Sequence, residues 1–292
     1  MPPTQRKLHP LEGIVAACAL FFAVALTVGF AQASDLAKKV KLRSASVLVQ
    51  DAATGEIVYD KNSEAVVPIA SITKLMTAIV TMDKVESAGL DLQQRVVLTR
   101  EDVDAVKGTR SRLRTGAVLS RDELLLLALM ASENRAAAAL GRSYPGGMQA
   151  FVSAMNHKAA ELGMNESRFV DPTGLSSGNV SSARDLAKLV GAAHRYELIR
   201  EYSTRSRATV KVGKRTVAFG NTNGLVRNAR WEIGLSKTGY ISEAGRCLVM
   251  HVRMASKDLI VVLLDSWGKQ SRIGDANRIR KWLESNAGGG RG

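Results

Sequence analysis

The spacing of apolar and polar positions changes twice along the chain. Residues 45–50 alternate weakly and are rich in Val and Ser. Asp51-Ala52-Ala53-Thr54-Gly55 follows as a turn, and residues 56–59 complete a hairpin signal. Ile72, Leu75, Met76, Ile79 and Val80 then recur at helical spacing, which predicts a helix over 71–85. Leu119 and Ser120 precede a second helical block over 121–130, whose run Leu124 to Leu127 is apolar on every side, as in a helix buried in a core. Residues 131–134 interrupt it, 135–140 resume it, and 147–162 read as an amphipathic helix. Residues 169–182, rich in Gly, Ser and Asn, read as loop, and Ser182 caps a helix reaching about His194. The last third returns to strand periodicity. Segments 208–212 and 215–219 flank Gly213-Lys214 as a hairpin, 235–240, 246–254 and 258–265 read as strands, and 271–284 closes the pattern as a helix. Strands, a helical block, then strands and a helix predict an α+β layered fold in which the N-terminal strands join a C-terminal sheet.

The first residues stand apart from this pattern. Arg6 and Lys7 precede an uncharged apolar run from Gly13 to Phe30, and Ala31-Gln32-Ala33 supplies a small-x-small cleavage site. Residues 1–33 are therefore expected to be a signal peptide cleaved after Ala33, directing the chain to the periplasm. A retained anchor is the competing reading, because 18 apolar residues nearly span a bilayer. Lipidation at Cys18 is disfavoured by the apolar stretch from Phe21 to Phe30 behind it. Residues 34–44 read as a linker, 45–285 as one domain, and 286–292 as a flexible Gly-rich tail. Of the two cysteines only Cys247 lies beyond the signal, so no internal disulfide is available, and its apolar strand marks it as a buried thiol.

Composition narrows the partners. The chain has 292 residues with 41 Lys and Arg against 27 Asp and Glu, a net charge of +14. Removal of Arg6, Lys7 and Glu12 with the signal leaves +13 on 259 residues. The charge is dispersed, only 5% of residues are aromatic, and no phosphate loop, nucleotide fingerprint or zinc spacing occurs, so nucleic acid is not an expected partner. An anionic sacculus or membrane surface remains one. No metal or cofactor is expected. His157, His194 and His251 are scattered over two helices and a strand, without the partner spacing of a triad.

Three short motifs carry candidate chemistry. In Ser71-Ile72-Thr73-Lys74 the hydroxyl and amine lie three apart on one helical face. A Ser hydroxyl needs a base to become a nucleophile, and Lys serves if burial or a neighbouring cation lowers its pKa. Alone, the motif equally fits a capping Ser and an exposed Lys, and Ser266-Trp267-Gly268-Lys269 repeats it in a poor setting. Ser132-Glu133-Asn134 sits at the break between two helical segments. Its hydroxyl suits proton relay and its amide suits holding a carbonyl, yet Ser177-Gly178-Asn179 matches as well. Lys237-Thr238-Gly239 occurs once, on a strand followed by Tyr240. Lys and Thr suit a carboxylate, and Gly allows a close backbone approach.

The ordered set, with 61 residues from Ser71 to Ser132 and 105 from Ser132 to Lys237, resembles the penicillin-recognising serine acyl-transferases: penicillin-binding proteins and class A β-lactamases. Val67-Pro68-Ile69-Ala70-Ser71-Ile72-Thr73-Lys74-Leu75-Met76 is similar to the nucleophile segment of the D-alanyl-D-alanine carboxypeptidase group. Asp171-Pro172-Thr173-Gly174-Leu175-Ser176, the stretch from Ser181 to Ala187, and Asn223-Gly224-Leu225 are similar to it too. The stretch from Gly234 to Val249 resembles the D-alanyl-D-alanine endopeptidases of the penicillin-binding protein 7 type. The likeness spans residues 45–284.

The resemblance implies a β-lactamase/transpeptidase-like fold: an antiparallel sheet flanked by helices, with an inserted mainly helical subdomain. It implies Ser71 as acyl-enzyme nucleophile, Lys74 as base with its pKa lowered by Lys237, and Ser132 as proton relay. Asn134, Lys237, Thr238 and Gly239 would bind substrate, and the backbone N–H groups of Ser71 and Tyr240 would form the oxyanion hole. The implied partners are peptidoglycan stem peptides and crosslinks, with β-lactams as acylating inhibitors. Glu133 departs from many relatives at a position that points away from the chemistry. The chain ends soon after its last helix, so the β-rich domain and amphipathic anchor of carboxypeptidase relatives are not expected. D,D-endopeptidase is the leading reading and carboxypeptidase the alternative. A β-lactamase using a water held by Glu166 or Asp171 stays open, as does a wall-binding protein with a decayed site.

Overall fold

The computed structural model describes residues 40–88 and 90–288. The expected signal peptide, its cleavage site, Cys18 and most of the expected linker lie outside the described residues, as do 289–292. Among the described residues no helix is long and apolar enough to cross a membrane.

The strands are β1 (Ser44–Asp51), β2 (Ile57–Lys61), β3 (Val67–Pro68), β4 (Arg95–Val97), β5 (Val118–Ser120), β6 (Val180–Ser181), β7 (Arg207–Val212), β8 (Arg215–Gly220), β9 (Glu232–Ile241), β10 (Gly245–Met254) and β11 (Lys257–Ser266). The α-helices are α1 (Thr73–Ala88), α2 (Arg121–Met130), α3 (Asn134–Arg142), α4 (Gly147–Glu161), α5 (Ala183–Ala193), α6 (Glu197–Thr204) and α7 (Ser271–Gly288). Five strands form an antiparallel sheet in the order β2-β1-β11-β10-β9. The N-terminal hairpin thus joins the C-terminal strands, as the pattern of the sequence predicts.

The central strands are buried on both faces. Along β11, Ile260, Val262 and Leu264 belong to the main core, while the alternating Leu259, Val261 and Leu263 are buried too. A sheet so apolar on both sides needs two covers. α5 supplies one, with Gly191 admitting the Ile260 side chain, and α7 packs on the sheet as the other. The helical block between β4 and β6 is organised around α2, whose residues Leu124 to Met130 are all buried. Ser120 begins α2 with a reciprocal cap: Glu123 N donates to Ser120 Oγ at 3.1 Å, and Ser120 N donates to Glu123 Oε2 at 2.7 Å. Ser182 caps α5 through Asp185 N at 3.2 Å.

Several boundaries differ from the sequence expectation. Leu42 is buried, and Arg43 N and Ser44 N donate to the Asp275 carboxylate at 3.0 and 2.7 Å, so the end of the expected linker is tied into the fold. α7 continues to Gly288, past the expected start of the tail at 286. α6 and the β4–β5 pair are additions to the elements read from the sequence. Cys247 is fully buried and donates to Ala244 O at 3.5 Å, and burial pushes its thiol up to about 11. His157 is exposed beside Glu161, but His194 and His251 stack with ring centroids 3.6 Å apart, a pairing their separation in sequence hides.

Candidate active site

Ser71 lies in a single 3-10 turn (Ala70–Ile72) just before α1, at the edge of the sheet beside β9. The turn is tight because Ala70 has φ of +48°, a left-handed conformation that L residues rarely adopt. Its carbonyl accepts Thr73 Oγ1 at 2.8 Å, and Ile69 N donates to Asn179 O at 3.1 Å. Two glycines make room for it. A Cβ on Gly174 would meet Ala70 O at 1.9 Å, and one on Gly239 would meet Ile69 O at 2.9 Å and Ser71 N at 3.2 Å. Strand β9 therefore runs against the backbone of Ser71.

Lys74, in the first turn of α1, is fully buried and its Nζ has three acceptors. These are Ser71 Oγ at 2.9 Å, Asn134 Oδ1 at 2.8 Å and Thr173 O at 2.6 Å. Burial drives its pKa down to about 7, against the opposing pull of Asp171, Glu133 and Asp104. The sequence expectation assigned this shift to repulsion by Lys237, whereas desolvation is the dominant cause. Like-charge repulsion acts on the other member: Lys237 is held well below its usual value by burial, then by Lys74 and Arg272.

Ser132 occupies the break between α2 and α3 with φ of +56°. Lys237 Nζ donates to Ser132 Oγ at 2.9 Å and to Thr238 O at 3.0 Å. Lys237 is only 1% exposed and does not line the cleft, so its amine faces Ser132 rather than open solvent. Asn134 bridges the two sides of the site: its Oδ1 accepts Lys74, and its Nδ2 donates to Thr109 Oγ1 at 3.0 Å. Thr238 Oγ1 pairs with Thr222 Oγ1 at 2.7 Å. Ser71, Ser132, Asn134, Thr238, Gly239 and Tyr240 all line one cleft of about 500 Å³. The seven residues singled out from the three motifs and the adjoining Tyr240 thus converge, six on the cleft and two lysines beneath it.

The cleft also contains residues the motifs do not mark. Lys107, Thr109, Leu175, Thr222, Ile241, Ser242 and Arg272 complete its wall. Arg272, from α7, donates to Gly239 O at 3.0 Å, and its buried Nε makes no hydrogen bond. Nothing in its amphipathic helix distinguishes it in sequence. Asp171 is the organiser of the 169–182 loop. Its carboxylate accepts Thr173 N at 2.6 Å, Gly174 N at 2.8 Å, Ser176 N at 3.1 Å and Asn179 Nδ2 at 2.5 Å. That folding aims Thr173 O at Lys74, and Thr77 Oγ1 fastens the loop through Pro172 O at 2.7 Å. Asn179 of the second Ser-x-Asn match is therefore a loop strut. Glu166 is exposed and away from the cleft wall, and Glu133 caps α3 through Arg135 N.

Residues 32–268 match the family described as D-alanyl-D-alanine carboxypeptidase. A D-alanyl-D-alanine endopeptidase of Pseudomonas aeruginosa is 47% identical over 247 residues, covering 84% of this chain and 78% of that protein. The crystal structure of the Streptomyces K15 DD-transpeptidase superposes with a TM-score of 0.78 at 26% identity, covering 85% of this chain and 99% of the other. Penicillin-binding protein D2 of Listeria monocytogenes, in its ampicillin-bound form, superposes with a TM-score of 0.72 at 27% identity, covering 84% and 98%. The match across most of the chain, with the fold it prescribes, places this protein in the D-alanyl-D-alanine carboxypeptidase family.

Proposed function

We propose that the protein is an exported serine D,D-peptidase that cleaves D-alanyl bonds in peptidoglycan, acting chiefly as an endopeptidase on D-Ala to diamino-acid crosslinks. The observation that carries this reading is the buried Lys74 amine, 2.9 Å from Ser71 Oγ, with a pKa lowered to about 7. An amine so placed is neutral in a large fraction of molecules near neutral pH and accepts the hydroxyl proton.

In the first step Ser71 Oγ bonds to the D-alanyl carbonyl carbon while Lys74 takes the proton. The resulting oxyanion is met by the N–H groups of Ser71 and Tyr240, each donor worth about 3 kcal/mol in comparable sites. The C–N bond then breaks, and Ser132, hydrogen-bonded to Lys237, passes the proton to the leaving amine. Water attacks the ester, its proton returns through Lys74, and Ser71 is released with the carboxylic acid. Asn134 orients the donor peptide. Thr238 and Arg272 face the cleft and take the substrate or β-lactam carboxylate, while the Lys237 amine holds Ser132 and Thr238 O from below. None of these steps draws on a metal or cofactor.

The endopeptidase assignment is supported by 47% identity to a protein named for that activity. The carboxypeptidase reading differs only in which amine leaves. Digestion of purified crosslinked muropeptides separates the two: monomer release without free D-Ala is expected, and free D-Ala as sole product would replace the endopeptidase by a carboxypeptidase. A β-lactamase needs a carboxylate-held water, but Asp171 is occupied by five loop donors and Glu166 is exposed. Penicillin label that persists for many minutes is therefore expected. Ser71 bonded to Lys74, and Ser132 bonded to Lys237, also argue against a decayed site. Export rests on the basic and apolar pattern of residues 1–33. The +13 balance of the remaining chain suits electrostatic association with sacculus or membrane surface, which salt should weaken. Wall pelleting unchanged between low and high salt would reject that association.

A further inference from the structure

Three tryptophans occur in the chain, and they are not alike. Trp231 and Trp282 are 7% and 9% exposed, whereas Trp267 is 80% exposed. Trp267 follows the end of β11 and lines a depression of about 310 Å³ together with Tyr240, Arg246 and Lys269. Tyr240 is 56% exposed, and the Arg246 guanidinium lies 4.4 Å over its ring. Tyr240 and Ser242 also line the catalytic cleft, so the two depressions adjoin.

The chain is bent to present this surface. The register between β10 and β11 shifts at Arg246 to Leu248, and Asp265 takes φ of +48° there. Glycine suits the position opposite, since Gly245 takes φ of +59° and a Cβ there would lie 3.1 Å from Asp265 Cα. A bulge of this kind re-aims the residues that follow it, here Ser266 and Trp267. The charges are also arranged. Arg246 and Lys269 flank the aromatic rings, Arg272 stands at the wall of the adjoining cleft, and Asp265 is the acidic member of the lining. Exposed aromatics beside cations suit a ligand with a flat apolar face and a carboxylate.

We propose that this platform is an accessory subsite for the glycopeptide end of the donor stem, with a sugar ring stacked on Trp267 and a stem carboxylate held by Arg246 and Lys269. The inference rests on the D,D-peptidase reading. With the oxyanion at Ser71 and Tyr240 and the leaving amine beside Ser132, the acyl side of the stem runs along Tyr240 and Ser242 toward Trp267. Three or four extended residues cover about 10–14 Å, which carries the sugar-bearing end out of the cleft onto the adjoining surface.

The test compares full-length wild-type protein with Trp267→Ala and Trp267→Phe on three reagents. These are a crosslinked disaccharide-peptide dimer, the same dimer stripped of its sugars, and a fluorescent penicillin. Trp267→Ala should lower kcat/KM for the disaccharide dimer about tenfold, mainly through KM, which corresponds to one stacking contact of about 1.4 kcal/mol. The stripped dimer and penicillin acylation should stay within about twofold of wild type, and Trp267→Phe should recover most of the loss. A Trp267→Ala enzyme that treats the two dimers alike, or loses penicillin acylation in step with hydrolysis, would overturn the subsite. Wild-type protein that acylates and cleaves nothing would overturn the parent reading, and that result appears before any variant is compared.

Discussion

Replacing Gly239 by Ala adds one methyl group where β9 meets the nucleophile turn. Its Cβ would lie 2.9 Å from Ile69 O, 3.1 Å from Ala70 Cβ and 3.2 Å from Ser71 N. The closest of these is about 0.5 Å inside the shortest ordinary contact of 3.4 Å. Neither side yields easily. β9 is hydrogen-bonded along β10, and the turn is tied to Asn179 O and Thr73 Oγ1. Overpacking of this kind costs about 1–3 kcal/mol, which for a chain this size lowers Tm by roughly 2–10 °C. The larger effect is on catalysis, because relief of the overlap separates Ser71 N from Tyr240 N. Loss of one oxyanion donor's geometry costs about 10²–10³ in rate. The second-order rate of acylation by a fluorescent penicillin should therefore fall at least about 10²-fold, with Tm changed only modestly. Gly220→Ala is the control, since its nearest neighbour is 4.0 Å away, and it should acylate as wild type. A Gly239→Ala protein that acylates within about threefold of wild type would refute the reasoning that β9 and the turn are in fixed register.

Three further outcomes follow from other parts of the molecule. With the Lys74 pKa lowered to about 7, the acylation rate should climb from pH 5.5 to pH 8 with its midpoint near that value, and a flat profile would remove Lys74 as the base. The His194 pKa is lowered to about 4 by burial, then by His251 and Arg200, with Asp258 opposing, and His251 is lowered too. The unfolded chain then binds more protons below the ordinary histidine value of 6.5, so Tm should fall as pH drops from 6.5 toward 4, and a His251→Phe variant should show a shallower fall. Asp275 is fully buried and accepts Arg43 N, Ser44 N and Ser44 Oγ, so Asp275→Ala should lose about 3 kcal/mol in thermal or urea unfolding, while the folded fraction still labels with penicillin.

The legible parts of the sequence were those with local signals. The all-apolar run of α2, the Ser182 cap and the hairpin at Gly213-Lys214 each depend on neighbours in sequence, and each stands where that pattern places it. The three motifs were legible because their order and spacing carry information that no one of them has alone. Arg272 was not, because only the packing of α7 on the sheet brings it to Gly239. Thr222 and Thr109 reach the site through loops with no periodicity. The cause of the Lys74 shift was misjudged for a related reason. Charge repulsion can be read from two lysines in a motif list, but complete burial is a property of the folded core. The histidine stack is likewise set by β10 meeting the end of α5, 57 positions apart in sequence.

The central claim is that Ser71 becomes covalently acylated. Incubation of wild-type protein and Ser71→Ala with penicillin, followed by intact-mass measurement and peptide mapping, tests it directly. The account predicts one penicilloyl adduct per wild-type chain, located on the peptide containing Ser71 and Lys74, and none on the variant. An adduct mapped to another residue, or a Ser71→Ala protein that still forms one and still cleaves crosslinked muropeptides, would contradict it.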